Sequence, residues 1–431
     1  MTPMPQSPTA AQLFLAGFSR IVDAAGVVLL VVLGYRMFFV FESSLQTRAL
    51  AVGVLGTAAC WMDRRAARDV PAALLGFVAV GLLSAAVNRW PIVSAGADPE
   101  WLSLFSTASH LVAMAAFVYG GAYLLRTPRR LSILVVLLVV SISVLAVEIA
   151  FDRASVAFVY QRVGGSSMQS VPHWGGIHGT GLILTLGLPL ALAVAFAGQS
   201  RWRVVAAVVL GAGFLLAAVL NGARGSIVAM VLSAILMTSA GTVASLRQHR
   251  HARLLTSAAL VMLAGLTVAL WWNRASFNMN DLSGRGLIWE PTIRLALDHW
   301  WIGVGPGNFS NAMFETHYAD RYLALNVYRF YNAHNLFLHA FAEVGVFGVL
   351  FLIGLLGVAL RSCWRAWTAG YLPIVSLGLL FSVVGFLWHS LTENFLDARV
   401  EVERTRLMVW MILAAALALA RLSRRVAAGE R

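Results

Sequence analysis

Long apolar runs recur along the whole chain, and no other feature limits its fold as severely. Twelve candidate spans stand out, near 21–41, 48–61, 71–88, 103–125, 131–150, 178–197, 204–220, 226–243, 254–272, 335–360, 371–390 and 405–420. Most approach the roughly 20 apolar residues that a helix needs to cross a bilayer. In hydrocarbon the backbone must satisfy its own polar groups, so such segments are helices. Composition agrees: 59% of residues are hydrophobic and 12% charged, and mean hydropathy is +0.78, whereas a soluble domain carries about 25% charged residues. The expected fold is all-α, a polytopic integral membrane protein of about 12 transmembrane helices. Residues 1–431 form a single membrane domain, with a large folded periplasmic loop at 273–334 between spans nine and ten. The first span is too long for a cleaved signal peptide and is expected to be retained.

Orientation follows from arginine, since every basic residue counted in the sequence is Arg. Alternate short loops hold Arg64, Arg65 and Arg68; Arg126, Arg129 and Arg130; Arg201 and Arg203; Arg247, Arg250 and Arg253; and Arg361 and Arg365. The C-terminal tail adds Arg421, Arg424, Arg425 and Arg431. Basic residues in short loops mark the cytoplasmic side, so both termini are expected there. The net charge of +13 is accounted for by these loops and implies no nucleic acid partner. Cys60 and Cys363 lie in unrelated segments near the cytoplasmic face, where thiols stay reduced. No disulfide is expected.

The polar residues at the outer face carry whatever chemistry the chain performs. Arg36 stands late in span one, where it either snorkels to the interface or contacts substrate. Arg224, in "LNGARGSIV", sits in a tight turn that opens span eight. Arg285, in "SGRGLIWE", stands between glycines at a helix start; the stretch 283–300 reads as helix, which Pro291 must kink or restart. Free N–H groups at a helix N-terminus, together with Arg, suit an anion. His334 opens "HNLFLHAFAEVGVFG"; on a helix, 334, 338, 341 and 345 would share a face. Gly345 and Gly348 below it would permit close helix packing. A metal is not expected: His334 and His339 are five apart, as are His173 and His178, whereas helical ligands sit four apart. No phosphate-binding loop, dinucleotide fingerprint or nucleophile elbow is present. Arg holds phosphate bidentately and His takes a proton near neutral pH. Together they suit an acceptor hydroxyl attacking a substrate whose leaving group is a lipid phosphate.

Three stretches carry a family resemblance: "NGARGS" at 221–226, "GRGLIWEPTIRLALDHWWIGVGPGNF" at 284–309, and "HNLFLHAFAEVGVFG" at 334–348. The last contains a His, ten residues and a Gly, as His334 to Gly345, then Gly348. In these the chain resembles the bacterial O-antigen ligase and polymerase superfamily, closest to O-antigen ligase. Two departures are mild: Val228 stands where Leu is usual, and Pro291 interrupts a helix. The resemblance implies a glycosyltransferase of lipopolysaccharide biosynthesis in the bacterial inner membrane, with its active site in the periplasm. It implies a donor of O-antigen glycan on undecaprenyl pyrophosphate and an acceptor hydroxyl on lipid A-core oligosaccharide. It implies His334 as the general base, or at least as the residue that orients the acceptor hydroxyl, with Arg224 and Arg285 holding the pyrophosphate. Arg36, Asn335 and Trp289 join the substrate-binding set. No cofactor and no metal are implied.

Within the superfamily, an O-antigen polymerase or a protein O-oligosaccharyltransferase would use the same chemistry on a different acceptor. A lipid-linked sugar transporter would need ionisable groups near the midplane. Here most lie at span ends, with Glu148 and His389 close to them and Glu343 within span ten. His339 and Glu343 are expected to pair with each other or between helices inside the bundle.

Overall fold

The computed structural model describes residues 10–39, 45–62, 71–88, 101–163, 176–196, 201–221, 224–245, 285–315, 332–394 and 403–427. Every regular element among them is a helix. In chain order these are α1 (Ala10–Phe39), α2 (Leu45–Met62), α3 (Ala72–Val87), α4 (Trp101–Leu124) and α5 (Pro128–Val163). Then come α6 (Gly176–Phe196), α7 (Arg201–Asn221), α8 (Arg224–Ser245), α9 (Arg285–Asp298) and α10 (Phe309–Glu315). The last three are α11 (Leu336–Thr368), α12 (Pro373–Ser390) and α13 (Glu403–Ala427). Eleven of the twelve expected spans coincide with α1–α8 and α11–α13. The ninth, at 254–272, lies outside the described residues.

Among the described residues, four segments, 128–151, 336–368, 373–390 and 405–424, are long and apolar enough to cross a membrane, and six shorter apolar helices accompany them. On α5, Ile133, Val136, Leu137, Val140, Val144, Val147 and Phe151 are exposed. They recur every three or four residues, so one apolar stripe faces outward, as expected against lipid tails. By contrast, α13 is buried from Thr405 to Leu419 and sits at the centre of the bundle. It packs against α4, α11, α12 and α6. Small residues set a close approach between α2 and α4. A methyl group built on Gly120 would lie 2.2 Å from the Gly53 carbonyl oxygen. Two helix backbones meet there with no side chain between them. Asp23 of α1 is tied to the α4–α5 turn by Arg126 and Arg130, the latter at 2.9 Å.

The element that shapes the site is α11. It is broken at Gly345, whose backbone has φ 68 and ψ −171. A break in a helix frees carbonyls and N–H groups that must find partners elsewhere. The segment after α9 supplies them: Val304 and Gly305 donate to the Ala342 and Glu343 carbonyls, and Val346 donates to the Trp300 carbonyl, each at 2.9 Å. The Ser84 hydroxyl of α3 lies 2.7 Å from the Ile302 carbonyl, and the Asn88 amide donates to that of Gly303 at 2.9 Å. A Cβ on Gly345 would sit 2.3 Å from the Trp301 oxygen. Gly345 thus admits an inserted loop, not the neighbouring helix that the sequence suggested. The inserted segment, α9 and α10 share a small core of Leu295, Ala296, Val304, Phe309, Ala312 and Met313 with Ala333 and Ala342. The expected helix at 283–300 is α9; it runs through Pro291 as one element.

Candidate active site

Asn335, not His334, starts α11. Its side-chain oxygen accepts from the N–H groups of Phe337 and Leu338, both at 3.0 Å. Asn is among the best N-cap residues, because a short side chain reaches the first free amides. His334 therefore lies outside the helix and does not share a face with 338, 341 and 345. Its φ is 47, the left-handed region, at a cost of about 1–3 kcal/mol for a non-glycine residue. Its N–H donates to Asn332 Oδ1 at 2.7 Å, which closes the turn. Strain retained where a helix begins aims a side chain in a direction that the helix itself would not give.

That side chain meets Glu393. His334 Nδ1 is 2.9 Å from Glu393 Oε2, and His178 Nδ1 is 2.9 Å from Oε1. A carboxylate oxygen accepts, so each imidazole donates its Nδ1–H and keeps Nε2 for other work. The two rings are 6.0 Å apart at 63°. The side chain of Glu393 is 4% exposed, against 32% for His334 and 39% for His178. The carboxylate thus lies beneath two imidazoles that reach the surface. Burial pushes its carboxyl up, but the hydrogen bonds from His178 and His334 and their charge outweigh it; Glu393 stays well below the usual carboxylate range. Each imidazole addresses its own oxygen, so the three groups do not converge on one point as metal ligands would. Among the described residues no group of three or more His, Cys, Asp or Glu is placed to hold a metal ion.

The other elements converge on this pair through their backbones. Asn335 Nδ2 donates to the Leu391 carbonyl at 3.1 Å, joining the start of α11 to the turn that carries Glu393. Trp289 of α9 donates its indole N–H to the Ala333 carbonyl at 2.9 Å, one residue before His334. Arg285 opens α9 one turn ahead of Trp289. Arg224 opens α8, and its neighbour Gly225 abuts Thr392, whose Oγ1 would lie 2.4 Å from an added Cβ. Ser226 Oγ stands 3.3 Å from His389 Nε2. The first turn of α8 and Trp289, one turn into α9, thus both adjoin the residues that frame His334. The side chains of Arg36, Arg224 and Arg285 fall outside the described residues; Arg36 lies in the last turns of α1.

His339 and Glu343 belong to a separate network. His339 Nε2 is 3.3 Å from Glu343 Oε1, so they pair with each other. Ala333 N–H donates to His339 Nδ1 at 3.4 Å. The same Glu343 oxygen accepts from the Gly307 and Phe309 N–H groups at 2.9 and 3.3 Å. This pair braces the inserted loop below the surface.

Sequence reasoning missed His178 and Glu393. A scan of ionisable residues at outer span ends reaches both, at the start of span six and just past span eleven. Nothing in linear order shows that they meet on His334.

Residues 190–353 match the family model described as O-antigen ligase. The match supports the O-antigen ligase and polymerase superfamily for this chain, and with it glycan transfer of that type. It takes in Arg224, Arg285, Trp289, His334 and Asn335, and leaves out His178 and Glu393. No curated protein matches the chain.

Proposed function

We propose that this protein is an O-antigen ligase, moving a glycan from undecaprenyl pyrophosphate to a hydroxyl of lipid A-core oligosaccharide at the periplasmic face of the inner membrane. The observation that carries the reading is His334, held by buried Glu393 through Nδ1 with Nε2 left as proton acceptor. A carboxylate behind an imidazole fixes its tautomer and stabilises the imidazolium that forms. The acceptor oxygen attacks the anomeric carbon and His334 Nε2 takes its proton. The bond from the anomeric carbon to the phosphate oxygen breaks, and its electron pair leaves with the pyrophosphate. Attack from the face opposite the leaving group inverts that carbon.

Arg224 and Arg285 are the proposed pyrophosphate ligands, at the first turns of α8 and α9. Charge that grows on the leaving group is where fixed donors accelerate a reaction most. Arg36 is proposed to contact the substrate. Trp289 and Asn335 are proposed to serve it by holding the residues on either side of His334, through Ala333 and Leu391. The donor is already activated by its phosphoanhydride, so the transfer draws on no nucleotide.

The test uses purified protein with lipid A core and lipid-linked glycan. The expected product is glycan-bearing core, and His334→Ala should lower the rate by about 10²–10⁴-fold. Extension of the lipid-linked chain with the core left bare would make the protein a polymerase. Full transfer by His334→Ala would end the general-base assignment.

A further inference from the structure

Glu393 holds two imidazoles, and a single general base uses only one. We propose that His178 is a second catalytic residue, which in its protonated form donates Nε2–H to the departing pyrophosphate oxygen while neutral His334 accepts the acceptor's proton. The proposal rests on the transferase reading above and adds a group to it.

The geometry is nearly symmetrical. Both histidines donate from Nδ1 to opposite oxygens of one carboxylate, each at 2.9 Å. Both therefore point Nε2 away from Glu393, and both are partly open to the surface. Their ring centroids are 6.0 Å apart, so both imidazoles border one place on the surface. The buried carboxylate offsets one positive charge. A second proton on the pair would place two like charges at that separation, which is unfavourable. The proposal places one such charge on the pair, on His178. The helices packed against α6 also carry titratable groups, among them His389 at the end of α12, Arg406 at the start of α13, Arg224 opening α8, Arg201 and Arg203 at the start of α7, and exposed Glu148 on α5. His389 is turned to Ser226 and Arg406 is buried.

Protons balance across the step. Before transfer, His178 is protonated and His334 neutral. The acceptor's proton passes to His334 Nε2 as the new glycosidic bond forms, and His178 gives its proton to the leaving pyrophosphate oxygen. Afterwards the single proton sits on His334. Exchange with water at the two partly exposed imidazoles returns it to His178.

The experiment is a pH–rate profile of the wild-type protein with lipid-linked glycan and lipid A core, alongside His178→Gln. Glutamine retains an N–H donor for Glu393 but cannot be protonated, so it separates holding the carboxylate from giving a proton. The wild-type profile should be bell-shaped, falling at low pH as His334 is protonated and at high pH as His178 loses its proton. His178→Gln should lower kcat by about 10²-fold or more and abolish the alkaline fall. Wild-type activity that stays level at alkaline pH overturns the proposal, whether or not the variant folds. A folded His178→Gln within about threefold of wild type also overturns it. If wild-type protein transfers nothing from the lipid pyrophosphate donor, the transferase reading fails and this proposal with it. Transfer with a single ionisation removes the role of His178 alone.

Discussion

Replacing Glu393 by glutamine changes one oxygen to an amide nitrogen and leaves shape almost untouched. The carboxylate accepts two N–H donors, one from His178 and one from His334. The amide accepts one and presents a donor to the other. One imidazole must then either lose its partner or reverse its tautomer, placing the proton on Nε2. If that ring is His334, its proton acceptor is gone. A hydrogen bond to a buried charged group contributes about 1.5–3 kcal/mol. Part of that loss is offset because the variant no longer buries a charge. Stability should therefore fall by only about 1–2 kcal/mol. The rate should fall by about 10²–10⁴-fold, the range for losing a positioned base. The assay measures kcat for glycan transfer in detergent or vesicles, with thermal unfolding in parallel. A folded Glu393→Gln protein that transfers glycan within about threefold of wild type would refute the reasoning.

The direction of the Glu393 ionisation gives a separate prediction. Its folded carboxyl is held below the unfolded value of about 4.3. The stability it contributes is complete above that pH and lost as pH falls toward the folded value. Thermal unfolding from pH 6 to pH 3 should show this loss in wild type and a smaller one in Glu393→Gln. Gly345→Ala should destabilise by about 1–3 kcal/mol from its positive φ, and further because the added Cβ strikes the Trp301 carbonyl; unchanged unfolding would contradict the inserted-loop account. Asn335→Ala should cost about 1 kcal/mol of cap stability, and Asn335→Asp should restore most of it; equal loss in both would point to a role beyond capping. Trp289→Phe removes the donor to Ala333 and should lower kcat with little change in KM, read from steady-state transfer.

Hydropathy made the helices legible because apolar length is a local property of the chain. The ends were harder. Asn335 could be seen as a helper, but its competition with His334 for the N-cap depends on local geometry that a helical wheel ignores. Gly345 stood out as part of a His-to-Gly spacing, yet its function is to break α11 where Val304 and Gly305 can pair with the freed carbonyls. That partner lies some forty residues away. The pairing of Glu393 with His334 was invisible for the same reason: the turn after α12 reaches His334 only once α11 and α12 pack together. His339 and Glu343 were readable as a pair because four residues on one helix bring side chains together. The positions of Arg224 and Arg285 at the starts of α8 and α9 were legible from the glycines beside them. The convergence of those starts on His334 required the tertiary structure.

The central claim is that pyrophosphate chemistry takes place at the His178–Glu393–His334 cluster. The most direct test is density for bound undecaprenyl pyrophosphate in the full-length protein. The pyrophosphate is expected within hydrogen-bonding reach of His178 Nε2, close to the first turns of α8 and α9 and to His334. Pyrophosphate bound at the opposite end of the bundle, beside Asp23, Arg126 and Arg130, would contradict it.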